Sequence, residues 1–286
     1  MFTKLCRLLA VLVAAAVFIS GMFMTLALPK AAAATQIPVS TGIWGAVYSQ
    51  GGYVMATETI DYHRRHQAGS IGYIVRSEAA WNHAANQLVP KAQQVGMRVS
   101  PVILPYTEAP TRQRCQATKY FGGNLNRAVT RLSRTAGVGD VVIDDFMANV
   151  THYSRKSCKS ISTQQFGAWD KQAKRYGKRV MPTLYPRDLN SKKAKTLKSL
   201  DAYRPKVVFA YNSLRDTRNL PKAVHGLHKR MPHAQVVIMV YAGPYRHQSA
   251  NKKVVAIQLR QAMALDRKYR WVVGVWQYKP PLPKLK

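Results

Sequence analysis

The chain has 286 residues and carries 44 Lys and Arg against 12 Asp and Glu, a net charge of +32. With 47% hydrophobic and 20% charged residues, it is too apolar for a disordered polyelectrolyte and long enough to bury one sizeable core. Charge of this sign favours polyanions such as acidic polysaccharide, anionic lipid or nucleic acid, with solubility and non-specific adhesion as the alternative, and by itself it names no partner.

At the start, Lys4 and Arg7 precede a run from Leu8 to Leu28 that is almost wholly apolar, followed by "KAAAATQ". A basic segment, an apolar segment and a small-residue site make residues 1–34 a secretory signal, cut near Ala34. The apolar run is also long enough to span a bilayer, so an uncleaved N-terminal anchor stays open. Either way the remainder is expected outside the cytoplasm, as one domain over 36–280 with a short basic tail over 281–286.

Eight β-branched, apolar runs follow in order: "GIWGAVY" (42–48), "SIGYIVR" (70–76), "RVSPVIL" (98–104), "DVVIDDF" (140–146), "RVMPTLY" (179–185), "KVVFAYN" (206–212), "QVVIMVY" (235–241) and "WVVGVWQY" (271–278). Near-continuous apolar runs suit parallel strands covered on both faces. Between them, apolar residues step by three and four: Trp81 to Val95, Leu125 to Ala136, Phe166 to Tyr176, and Val255 to Met263. These are amphipathic helices. Gly96, Gly137 and Gly177 fall where helix-ending glycines belong. Eight strands alternating with helices over this length predict a single (β/α)8 TIM barrel of the α/β class. An open doubly wound sheet is the rival, but no G-x-G-x-x-G follows the first strand.

Barrel function collects at the carboxyl ends of the strands. Aromatic rings recur there: Tyr48, Tyr106, Tyr185, Tyr211, Tyr241, Trp276 and Tyr278. Flat apolar faces with polar tips suit sugar rings, although tyrosine also favours strands for packing alone. The scarce acids gather at the same places: Glu78, Glu108, Asp144, Asp145, Asp188 and Asp216. Carboxylates crowded into one aromatic cleft acquire divergent proton affinities, which glycosidic cleavage needs for an acid and a base. Asp144 and Asp145 are the expected reactive pair. Neighbours on a strand point to opposite faces, so one is expected to react and the other to orient it. Glu78, Glu108 and Asp188 are candidates for a partner carboxyl and for substrate binding with the rings. The alternative is that one Asp caps the loop and the other pairs with an arginine.

At these residues the chain resembles glycoside-hydrolase barrels. "VVIDDF" resembles the acidic fourth strand of chitinase-like (family 18) enzymes and the Asp-bearing strands of spherulin-4 and endo-polygalactosaminidase-like barrels. "FAYN" and "GVWQY" resemble the Tyr and Trp that such barrels set around a sugar. The resemblance implies a secreted glycosidase acting on an envelope or matrix polysaccharide. Aligned through "IDDF", Asp144 matches the middle acid of the chitinase-like run, and Phe146 stands where the proton-donating Glu would be. The donor is then Asp145 or an acid from another strand, or the barrel is a non-catalytic polysaccharide binder.

Cys115 and Cys158 are expected to form a disulfide in an oxidising compartment. "HRRH" (63–66) and "HGLH" (225–228) lack the H-E-x-x-H pattern and are expected on helix surfaces; His152 and His247 fall in loops. No zinc spacing, P-loop or nucleophile elbow occurs, and no metal or cofactor is expected. The expected partner is an anionic or neutral polysaccharide, with non-specific binding to anionic membrane or nucleic acid, and the expected state is a monomer.

Overall fold

The structure, a computed structural model, describes residues 41–45, 47–105, 124–151, 161–243 and 250–278. Contacts divide the chain into Met1–Gln36 and Ile37–Lys286, and every described residue belongs to the second unit. The elements run β1 (Thr41–Trp44), a hairpin of β2 (Ser49–Gln50) and β3 (Tyr53–Val54), α1 (Ala56–Arg65), β4 (Ser70–Ile74), α2 (Glu78–Gln94) and β5 (Arg98–Ile103). They continue with α3 (Leu125–Arg134), β6 (Val141–Ile143), α4 (Phe146–Thr151), α5 (Thr163–Lys174), β7 (Val180–Leu184) and α6 (Ala194–Asp201). The last are β8 (Lys206–Tyr211), α7 (Leu220–Arg230), β9 (Gln235–Tyr241), α8 (Lys252–Lys268) and β10 (Val272–Tyr278).

All eight apolar runs of the sequence become strands of one closed parallel barrel, ordered β1-β10-β9-β8-β7-β6-β5-β4. The circle closes where Ile43 pairs with Ile71. The continuous apolar character has the expected cause. Outward residues such as Val99, Ile143, Leu184 and Phe209 pack beneath the helices, while Val102, Val142, Met181, Val208 and Met239 fill the interior. The chain is therefore a (β/α)8 barrel.

Caps set the helix starts. Ser77 accepts from the Ala80 N–H at 3.0 Å, Asn124 from Arg127 at 3.1 Å and Ser162 from Gln165 at 3.0 Å. Past the helix ends, Gly96, Gly137 and Gly177 take φ of 75°, 75° and 68°, the left-handed conformation expected of them.

Two runs stop earlier than their composition implies. β1 ends at Trp44, where Gly45 turns with φ 76°, and β6 ends at Ile143, two residues before Asp145 turns with φ 45°. The histidines also differ from expectation. His63 is wholly buried on the inner face of α1, with Nδ1 at 2.7 Å from the Thr59 carbonyl. His228 is half-buried and stacks on Trp271 at 4.1 Å, whereas His225 is exposed. Helical spacing alone did not say which face each would take.

The amino ends of the strands are stapled by ion pairs. Asp140 binds Lys206 at 2.9 Å, and buried Asp170 binds Arg179 at 2.9 Å and Lys174 at 2.9 Å. One Asp170 oxygen also accepts from the Val180 N–H at 3.0 Å.

Candidate active site

The site begins with the alternation of β6. Val142 faces the barrel interior, so Asp144 is the next residue of that strand to do so. Its N–H still donates to the Ile103 carbonyl at 2.9 Å, extending the ladder one step past the strand. The chain then leaves the barrel at Asp145, whose positive φ turns it into α4. The two adjacent acids therefore part. Oδ1 of Asp144 accepts from the Asp145 N–H at 2.8 Å and from the Tyr185 hydroxyl at 2.8 Å. Asp145 turns to the rim, where Arg187 donates to it at 3.0 Å. Its carbonyl accepts from the Asn149 side chain at 2.8 Å.

Around Asp144 the strand ends supply rings. Tyr185 follows β7, Tyr241 ends β9, and Trp276 and Tyr278 lie on β10. Tyr278 lies 4.3 Å from Tyr241 and meets Trp44 of β1 edge-on at 5.9 Å, between ring centroids. Trp276 lies over Gly42. A Cβ there would sit 2.6 Å from the indole nitrogen, so only glycine admits the ring in this place. Arg187 stands 4.7 Å over the Tyr185 ring while it holds Asp145, tying the phenol and the rim acid into one assembly.

Burial raises the Tyr185 phenol well above its ordinary value, and the neighbouring Asp144 charge raises it further. The phenol thus stays protonated and serves Asp144 as a hydrogen-bond donor. Two more polar atoms complete the interior. The indole Nε1 of Trp44 and Oγ1 of Thr183 are buried and have no hydrogen-bond partner among the described residues. Thr183 is the interior-facing residue just before Tyr185. Buried polar groups of this kind ordinarily have partners.

Several predicted site residues lie elsewhere. Tyr48 packs outside the barrel against Ile43, Tyr62 and Ala68, because β1 ends four residues before it. Tyr211 faces the helix layer and donates to Asp216 at 2.8 Å, leaving Asn212 at the interior-facing step. Burial and this carboxylate raise the Tyr211 phenol. Burial opposes charge on Asp216, but the N–H groups of Arg218 and Asn219 and the Tyr211 hydroxyl outweigh it and lower the carboxyl to about 2. Glu78 opens α2 and pairs with Arg131 at 2.6 Å. Asp188 is buried, accepts from the Tyr185 N–H at 2.9 Å and pairs with Lys193. Tyr106, Glu108, Cys115 and Cys158 lie outside the described residues, as do His152 and His247.

Asp144, Tyr185, Tyr241 and Trp276 are thus brought together, and Asp145 stands at their edge. Trp44, Thr183 and Arg187 join them without having been singled out in the sequence. The Trp-Gly pair at 44–45 was the available signal for the first, since glycine ends strands. Thr183 and Arg187 carried no signal. Among the described residues, no cluster of His, Cys, Asp or Glu is placed to hold a metal ion.

No family model matches the sequence, and no curated protein is similar to it. Solved structures are similar in fold. A GH18 chitinase from Pseudoalteromonas aurantia superposes with a TM-score of 0.52 at 10% identity, over 84% of this chain and 93% of that one. A GH113 β-1,4-mannanase gives 0.51 at 10% identity, over 85% and 88%. An endo-β-1,4-glucanase from Xanthomonas axonopodis pv. citri gives 0.51 at 10% identity, over 84% and 88%. The resemblance to glycoside-hydrolase barrels therefore holds for the fold.

Proposed function

We propose that this protein is a glycoside hydrolase of the extracytoplasmic space, binding a polysaccharide in the barrel mouth and using Asp144 as its reactive carboxylate. The observation that carries the reading is the position of Asp144. Among the described acids, it is the one that faces the interior, beneath a rim of rings and hydrogen-bonded to a buried phenol. An ionised carboxylate in that position can stabilise or attack an anomeric carbon. Tyr185 fixes its orientation, and the rings offer faces to the sugar. The proton donor in this reading is Glu108, the acid that follows the third apolar run of the sequence, or Asp145 once it is released from Arg187. The strongly basic chain favours an anionic or neutral glycan over a cationic one, and the segment over 1–34 is the reason for placing it outside the cytoplasm.

The test is release of reducing ends from mannan, chitin, β-glucan and a uronate polymer by the wild type and by Asp144→Asn. The substitution is expected to lower the rate by about 10²–10⁴-fold with an unchanged melting temperature. Unimpaired hydrolysis by the variant would overturn the assignment.

One observation favours a second reading, a non-catalytic polysaccharide-binding barrel. Asp145 is held by Arg187 and Asp188 by Lys193, so neither faces Asp144 as a ready proton donor. That reading predicts binding without turnover, indifferent to Asp144→Asn.

A further inference from the structure

We infer that the outer face of α3 is a second binding site, separate from the barrel mouth, for an acidic polysaccharide. Arg127, Arg131 and Arg134 are spaced four and three residues apart, which places them on one side of the helix. With Asn126, Thr130 and Thr135 they line a surface hollow of about 540 Å³. Glu78 is the acid paired with them, so three positive charges against one negative leave the hollow at +2.

The arginines are not equivalent. Arg131 is fixed, donating to Glu78 at 2.6 Å and to Asn82 at 2.7 Å. Arg127 is loosely held, its nearest paired carboxylate oxygen 3.9 Å away. Arg134 uses Nε to donate to the Tyr176 hydroxyl at 3.0 Å, and its terminal amino groups have no partner among the described residues. Two guanidinium forks therefore remain to take oxyanions in paired hydrogen bonds. The Tyr176 ring, 42% exposed, lies beside Arg134 at one end of the hollow and offers a flat face to a sugar.

Acid groups beside a ring-stacking surface are the chemistry of a uronate chain. Single-stranded nucleic acid is ordinarily held on a series of stacking rings rather than one. The site rests on no residue of the barrel mouth, so it stands or falls independently of Asp144.

The experiment uses the full chain and oligogalacturonate, with the carboxyl-reduced oligomer and single-stranded DNA of similar length as comparison probes, by calorimetry at fixed salt. Arg127→Ser with Arg134→Ser is expected to weaken oligogalacturonate binding by about tenfold. Lys229→Ser with Arg230→Ser, which removes the same charge from α7, is expected to change it by less than about twofold. The carboxyl-reduced oligomer is expected not to respond to the arginine pair. Should the double variant fail to fold, Arg127→Ser alone, in a side chain 61% exposed, is expected to weaken binding by about threefold. Equal losses from both pairs would reduce the site to diffuse charge. Equal binding of the reduced oligomer, or tighter arginine-dependent binding of DNA, would also overturn it.

Discussion

His63 shows how much one side chain can stake on its surroundings. It is fully buried, and Nδ1 bonds the Thr59 carbonyl. Burial lowers the imidazole from 6.5 to about 4, with the carbonyls of Thr59 and Ile43 opposing and nearby His66 assisting. The unfolded chain accepts a proton near 6.5, while the folded one refuses it until about 4. Stability from the neutral ring is therefore complete above 6.5 and is lost as pH falls through this window, by roughly 3 kcal/mol. Urea titrations from pH 8 to 4 should show this decline, and His63→Leu should flatten that part of it. A wild-type profile level across the window would refute the assignment. Asp145 is a second residue whose role its identity did not reveal. Its left-handed φ of 45° is one that aspartate tolerates better than most residues, and it is what separates the carboxylates of 144 and 145.

At the scale of elements, the scarce acids divide into structural work and chemistry. Asp170 ties α5 to β7: its side chain is 2% exposed and binds Arg179, Lys174 and the Val180 N–H. Asp170→Ala takes the carboxylate from Arg179 and Lys174 and leaves the buried Val180 N–H without its acceptor, and is expected to cost about 3 kcal/mol. Glu78→Ala removes a solvent-facing pair between α2 and α3 and is expected to cost less than about 1 kcal/mol. Thermal melts of the two variants check the contrast, and a Glu78 variant as damaged as the Asp170 variant would contradict it. Strands and periodic helices were legible at this scale. β9 spans the very residues expected, Gln235–Tyr241, because an uninterrupted apolar run leaves no other boundary. α6 was not, since its apolar repeat is short and interleaved with lysines, while α1 and α7 were expected only through their paired histidines, without bounds.

For the whole molecule the dominant quantity is charge. At +32, the protein is surrounded by a positive field, and it commits carboxylates such as Asp140, Asp170 and Asp188 to internal pairs. Retention on a sulfonated surface is expected to be strong near 0.01 M salt and lost by about 1 M, where the screening length falls to about 3 Å. Binding of a neutral oligosaccharide in the ring-lined mouth should be nearly insensitive to the same change. Chromatography and calorimetry over one salt series separate the two, and a neutral ligand lost in step with the column would merge them.

The sequence by itself determined the barrel: eight apolar runs, helices between them and glycines at the turns define parallel strands that must be covered on both sides. It also placed acids and rings near strand ends. Only the tertiary structure decided which of them meet. Successive strand residues face opposite ways, so a boundary moved by one position sends a side chain to the other surface. Tyr211 thus went to the helices while Tyr185 and Tyr241 went inside. Asp144 met its phenol across the β6–β7 pair, a contact between residues 41 apart that no local pattern encodes.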